Sequence, residues 1–155
     1  MIDTKLKHYT DTIHYELEQT ARLMRKLTQQ LFEKLNVEIT PDEYAVLDTV
    51  SINAGICQRD LAKLILKDRA NTGRLLDSLE QKGFITRFVD TKNNRLVKKM
   101  GITETGLEYL KDITERIRDY INGVTTKVSP KEIDKVQDAL KNLRLDLEKI
   151  VEMNI

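Results

Sequence analysis

The chain has 155 residues, 40% hydrophobic and 33% charged, which suits one core-bearing domain or one domain plus an appendage. No apolar run approaches the ~20 residues of a membrane span. The N-terminal MIDTKLKHYTDTIHYELE lacks the apolar centre of a signal peptide, so an intracellular, cytoplasmic protein is expected. The single cysteine, Cys57, excludes an intrachain disulfide. Formal net charge is only +1, but it is unevenly spread: −3 over residues 1–57, +6 over 58–100 and −2 over 101–155. A positive excess confined to the middle third is an electrostatic clue to a polyanionic partner.

Leu6, Tyr9, Ile13, Leu17, Ala21, Met24, Leu27, Leu31 and Leu35 recur at steps of three or four, which predicts one long amphipathic helix over 6–35. At ~1.5 Å per residue, ~30 residues span ~45 Å. A domain of this size is only ~40 Å across. The end of that helix is therefore expected to pack on something outside the monomer. Thr40-Pro41-Asp42-Glu43 is a helix start, with Thr40 as cap, Pro41 in the first helical position and Glu43 completing a capping box. That helix runs through YAVLDTVSI and stops at Ala54-Gly55. QRDLAKLIL predicts a short helix with Leu61, Leu64 and Ile65 inward. Asp68 then caps RANTGRLLDSLEQK, with Thr72, Leu75, Leu76 and Leu79 inward, and Gly83 with Phe84 beyond it forms a glycine stop.

FITRFV is β-branched and aromatic and predicts a strand, and LVKKMGI a second. Asn93-Asn94 between them tolerate the left-handed angles of a hairpin turn. Thr103 caps a further helix carrying Leu107, Leu110, Ile113, Ile117, Ile121 and Val124. Ser129-Pro130-Lys131-Glu132 repeats the proline capping box before a last helix with Ile133, Val136, Leu140, Leu143, Leu147 and Ile150 or Val151.

The expected fold is mainly α with a small β-hairpin wing: a winged helix-turn-helix over 39–103, flanked by long helices over 1–38 and 104–155. A major groove ~12 Å wide admits one helix. The helix opening at Asp68 would be the reading helix, with Arg69, Ala70, Asn71, Gly73 and Arg74 outward near its start. Arg reads guanine bidentately and Asn reads adenine. Ala70 and Gly73 lack bulk and would allow close approach. Arg95 at the hairpin tip is placed to enter the adjacent minor groove, whose narrow form attracts a guanidinium. The candidate DNA-binding set is completed by Arg87, Lys92, Asn94 and Lys98 on the hairpin.

DLAKLILKDRANTGRLLDSLEQKGFITR, followed by NNRLVKKMGITETG, resembles the MarR family of bacterial transcription regulators. The first segment is similar to that family's helix-turn-helix: "LA" in its first helix, "D-R" opening the second, and "LE-KG-I-R" leading into the wing. The second is similar to its wing return, with Met100-Gly101-Ile102-Thr103-Glu104-Thr105-Gly106 filling the Val-x-Leu-Thr-x-x-Gly close. The long flanking helices also match. Asn94 stands where the family usually has Asp, which orients the wing arginine there, and Leu96 where it often has a second Arg. The resemblance implies a homodimer formed by the N- and C-terminal helices, reading double-stranded DNA at half-sites ~34 Å apart in a pseudo-palindrome. It also implies a small, often aromatic or anionic, ligand in a crevice between dimerisation helices and DNA-binding lobe, whose binding releases a repressor from its operator.

Sharper readings compete with plainer ones. A lone cysteine such as Cys57 ordinarily behaves as a small buried hydrophobe rather than an oxidant sensor. His8 and His14 lie six apart and with Cys57 make no metal-ligand spacing, so neither a metal nor a cofactor is expected. The tyrosines Tyr9, Tyr15, Tyr44, Tyr109 and Tyr120 could line a ligand crevice, but core or dimer interface is their plainer role. No nucleophile–base pair, carboxylate pair or phosphate-cradling glycine loop is visible, so an enzyme is not expected. The alternative to a DNA-binding regulator is a winged-helix module that binds protein and not DNA.

Overall fold

In the computed structural model, described for residues 2, 4 and 6–152, eight regular elements follow one another. Residues 1, 3, 5 and 153–155, the outer ends of the segments 1–38 and 104–155, lie outside the described residues. The elements are α1 (Ile13–Lys34), α2 (Pro41–Ile52), α3 (Gln58–Ile65), α4 (Arg69–Gln81), β1 (Ile85–Lys92), β2 (Arg95–Ile102), α5 (Glu104–Asn122) and α6 (Pro130–Glu148). The chain divides into two compact units, Met1–Tyr44 and Ala45–Ile155, and α2 begins in the first and continues into the second. Among the described residues no helix is long and apolar enough to cross a membrane.

The first unit corrects the predicted helix over 6–35. A 3₁₀ turn at Tyr9–Asp11 precedes α1. Thr12 then acts as N-cap: its Oγ1 accepts from the Tyr15 N–H at 3.2 Å and donates to the Tyr9 carbonyl at 2.6 Å. Such local side-chain bonds compete with helix, so the apolar periodicity through Leu6 and Tyr9 does not carry the helix back past Thr12. The 22 residues of α1 span ~33 Å, so its length alone no longer argues for a partner outside the monomer. At its other end Leu31 and Phe32 are buried, with Phe32 edge-on to Tyr44 at 5.8 Å between centroids. Leu23, Met24 and Leu27 on the same helix are exposed. The predicted capping box at the start of α2 forms: the Thr40 N–H donates to Glu43 Oε1, and the Glu43 N–H to Thr40 Oγ1.

In the second unit the core is built from Val46, Leu47, Val50, Leu61, Ala62, Leu76, Leu79, Ile85, Met100, Leu110 and Ile113. Leu64, predicted inward, is exposed, and Ala62 is buried instead. One residue of phase error is enough to exchange the two on a helix of only 8 residues. Leu66 ends α3 at φ +54, a left-handed angle uncommon for a branched side chain. Gly83 (φ +77) closes α4 in a Schellman motif: its N–H donates to the Glu80 carbonyl at 2.9 Å, and that of Phe84 to Leu79 at 3.0 Å. β1 and β2 pair antiparallel from Ile85↔Ile102 to Lys92↔Arg95. Their two-residue loop has Asn93 at φ 52 and Asn94 at φ 61, the type I′ pattern that fits strand twist. The Met100 N–H donates to the Ile56 carbonyl at 2.9 Å, tying the segment before α3 to β2.

The start of α5 is fastened to the end of α4. Thr103 caps α5 by accepting from the Gly106 N–H, while its own hydroxyl donates to the Gly83 carbonyl at 2.7 Å and its N–H to the Phe84 carbonyl at 2.9 Å. Gly106 sits so close that a Cβ would lie 2.1 Å from the Phe84 oxygen. Phe84 stacks on Tyr109 at 4.5 Å. Beyond Ile113 the predicted inward face changes character: Ile121 and Val124 are exposed, and α6, correctly started by its capping box at Ser129, buries no residue. The amphipathic periodicity is real, but on α6 Leu140, Leu143 and Leu147 are only half-buried and Ile133 and Val136 are exposed.

Candidate nucleic-acid interface

The candidate interface is built on α4 and the hairpin. Asp68 begins α4 by accepting from the Asn71 N–H at 2.7 Å, and its second oxygen accepts from the Asn71 side-chain amide at 2.9 Å. Arg74 donates to the Asn71 side-chain oxygen. Asp68, Asn71 and Arg74 thus form one exposed polar chain along the first two turns, and Asn71 is engaged on both sides. Arg69 and Ala70 are exposed beside it, and Arg69 makes no ion pair among the described residues. Thr72, on the opposite side, is fully buried and back-bonded to the Asp68 carbonyl at 2.8 Å. Gly73 is half-buried, and a Cβ there would lie 3.4 Å from the side-chain Nε2 of Gln58 on α3, an ordinary contact.

The hairpin cations fall into two groups. Arg87 on β1 turns back to α4: its Nη2 donates to Asp77 Oδ1 at 2.6 Å and Glu80 Oε1 at 3.0 Å, and its Nε to Glu80 Oε2 at 3.3 Å. This fork holds the Glu80 carboxyl below its ordinary range, and the two carboxylates push the guanidinium further up. Lys92, at the end of β1, pairs with Asp60 of α3 and lies 3.8 Å from Cys57 Sγ. The Asp60 carboxyl is lowered, first by that lysine and then by the Cys57 contact. Lys99 reaches Asp90 at 3.1 Å, whose carboxyl is lowered first by the Thr91 N–H and then by Lys99. Arg95 and Lys98 form the second group: both are exposed and make no ion pair among the described residues. Lys98 stands on the opposite face of β2 from Lys99. Asn94 is committed to the turn.

All five acids of the basic segment 58–100 are therefore engaged: Asp68 as a cap, and Asp60, Asp77, Glu80 and Asp90 against hairpin cations. Sequence reasoning missed these partners. The one signal was a pair of acids, Asp77 and Glu80, three apart at exposed positions of α4 inside an otherwise basic stretch. Cys57 is buried, its chain bridged to Lys99. Elsewhere in this unit, Lys63, Leu64 and Leu66 at the end of α3 and Arg144, Leu145 and Glu148 of α6 line a groove of ≈ 700 Å³.

Two short helices joined by a tight turn, with a twisted hairpin fastened to both, make a winged helix-turn-helix. Residues 39–97 match the sequence profile of the MarR family. Among curated proteins, the chain is 33% identical over 91 residues to YybA of Bacillus subtilis (strain 168), described as an uncharacterised HTH-type transcriptional regulator. That match covers 59% of each chain, so the chain spans less than two thirds of that relative's length. Among solved structures, the transcriptional regulator SlyA is similar at 28% identity and TM-score 0.72, over 88% of this chain and 94% of that one. The MepR–DNA complex of S. aureus shares the fold at 23% identity and TM-score 0.70, over 88% and 98%. The MarR profile thus falls on the winged helix-turn-helix itself, and the chain around it shares the fold of SlyA.

Proposed function

We propose that this chain is a dimeric, cytoplasmic transcriptional regulator that binds a pseudo-palindromic operator as a repressor and leaves it when a small ligand binds. The observation that carries DNA binding is the split among the cations. Arg69 and Arg74 on the capped start of α4, with Arg95 and Lys98 on the hairpin, are exposed and unmatched by acids, while the acids nearby are occupied elsewhere. We assign base reading to Arg69, Asn71 and Arg74, close approach to Ala70, and backbone and minor-groove contact to Arg95 and Lys98. Asn94 shapes the tip that presents Arg95. The DNA-bound form of MepR supports the partner by analogy of fold.

Homodimerisation is supported by exposed apolar side chains in each unit: Leu23 and Met24 on α1, and Ile133 and Val136 on α6, are all about half exposed or more. Large apolar side chains repeatedly left exposed on an amphipathic helix mark an interaction face of that helix. The groove between α3 and α6 offers three leucines with two cations and one acid, a lining suited to a small amphipathic ligand. Such a ligand releases DNA only by preferring one lobe spacing over another.

The test is titration of duplexes selected from a random pool at several salt concentrations. Affinity should fall steeply as salt rises, with Arg95→Ala lowering the slope of log K against log salt by about 1. A chain that binds no duplex even at low salt refutes the reading and favours a protein-binding module.

A further inference from the structure

We infer that Arg87 and Lys92 are positioning residues that set the wing, and that Asp77, Glu80 and Asp60 are their built-in counter-anions. The inference rests on the proposed DNA-binding function and deepens it. Arg87 gives three donors to two carboxylates on successive turns of α4, and its side chain is only 21% exposed. A guanidinium committed to a fork of this kind is fixed in direction and has few donors left for phosphate. Lys92 lies directly across the ladder from Arg95, where two like charges repel. Asp60 on α3 draws Lys92 aside and leaves Arg95 alone at the tip.

The hairpin is thus tied at its base to α4 and at its tip to α3 by bonds independent of the backbone connection. The angle between the reading helix and the wing arginine depends on those ties. The acids that reduce the local positive charge would, on charge alone, weaken DNA binding. Their geometry gives them the opposite effect, because they hold Arg95 in register with α4.

The two effects have opposite signs, which makes the experiment decisive. In the full chain, Asp77→Asn with Glu80→Gln adds two units of positive charge. If the acids only oppose DNA, the double variant binds the selected duplex more tightly. We expect instead about 5- to 10-fold weaker binding, with hydroxyl-radical protection lost at the wing-contacted flanks and kept at the centre of each half-site. Mere destabilisation of the fold would lower both protections together. Arg87→Ala should weaken binding without lowering the salt slope, and Arg87→Glu with Glu80→Arg should restore the flank protection. Tighter binding by the double variant overturns the inference, as does a slope reduced by about 1 in Arg87→Ala, since that is the signature of a phosphate contact. A wild-type chain that binds no duplex overturns the proposed function itself and this inference with it.

Discussion

Replacing Gly106 by alanine adds one methyl group at the start of α5, and two effects of opposite sign follow. Gly106 lies in the first turn of a helix, where alanine improves propensity by at most ~1 kcal/mol. Against that, the new Cβ would lie 2.1 Å from the Phe84 oxygen and 2.8 Å from its carbonyl carbon. The obstacle is backbone, so no rotamer relieves it, and the helix must retreat by roughly 1 Å to reach ordinary contact. Retreat strains the bonds that fasten α5 to the end of α4, Thr103 N–H to Phe84 and Thr103 hydroxyl to Gly83. Such bonds contribute ~1 kcal/mol each, and overpacking costs a further ~1–3 kcal/mol. The clash outweighs the propensity gain, and Gly106→Ala should destabilise the protein by ~2–3 kcal/mol, or roughly 5–10 °C in Tm for a chain of this size. Urea unfolding followed by circular dichroism, at one fixed protein concentration, measures it. An alanine variant equal to or more stable than wild type would refute the argument from close approach.

Asp68→Ala should cost ~1 kcal/mol of stability through the lost cap. Its DNA effects should diverge: non-specific affinity rises with the lost negative charge while discrimination between duplexes falls, because Asn71 loses the partner that orients it. Equal discrimination in a competition assay would count against that orienting role. Leu66→Asn should stabilise by ~0.5–1 kcal/mol, since an exposed leucine held at φ +54 is replaced by a residue that tolerates that angle; a lower urea midpoint would contradict this. The wing ties should withstand acid down to about pH 4. Asp60 is lowered by Lys92 and Glu80 by Arg87, so their contribution is complete above the unfolded values of ~4 and is lost only as pH falls through the depressed folded ones. Amide exchange in residues 85–102 should therefore show unchanged protection, after correction for intrinsic rate, from pH 8 to 5; loosening within that range would show that another group controls the hairpin.

Local chemistry was legible wherever a residue acts on its immediate neighbours. The capping boxes at Thr40 and Ser129, the Asp68 and Thr103 caps, the glycine stop at Gly83 and the Asn93-Asn94 turn all follow from bonds spanning two to five residues, and they delimit a helix-turn-helix and its wing. Apolar periodicity located the helices but could not say what covers them. It continues through Leu6 and Tyr9, where Thr12 stops the helix, and along α6, none of whose residues is fully buried. Only the tertiary structure decided which charges are spent. Asp77 and Glu80 are ten and seven residues from Arg87, and Asp60 is 32 from Lys92. Those pairings exist because the hairpin folds back over α3 and α4, and a net charge of +6 carries no information about direction. The sequence by itself determined that a basic hairpin follows a capped helix; the fold determined that Arg87 and Lys92 are bonded back to α4 and α3 while Arg95 and Lys98 stay exposed.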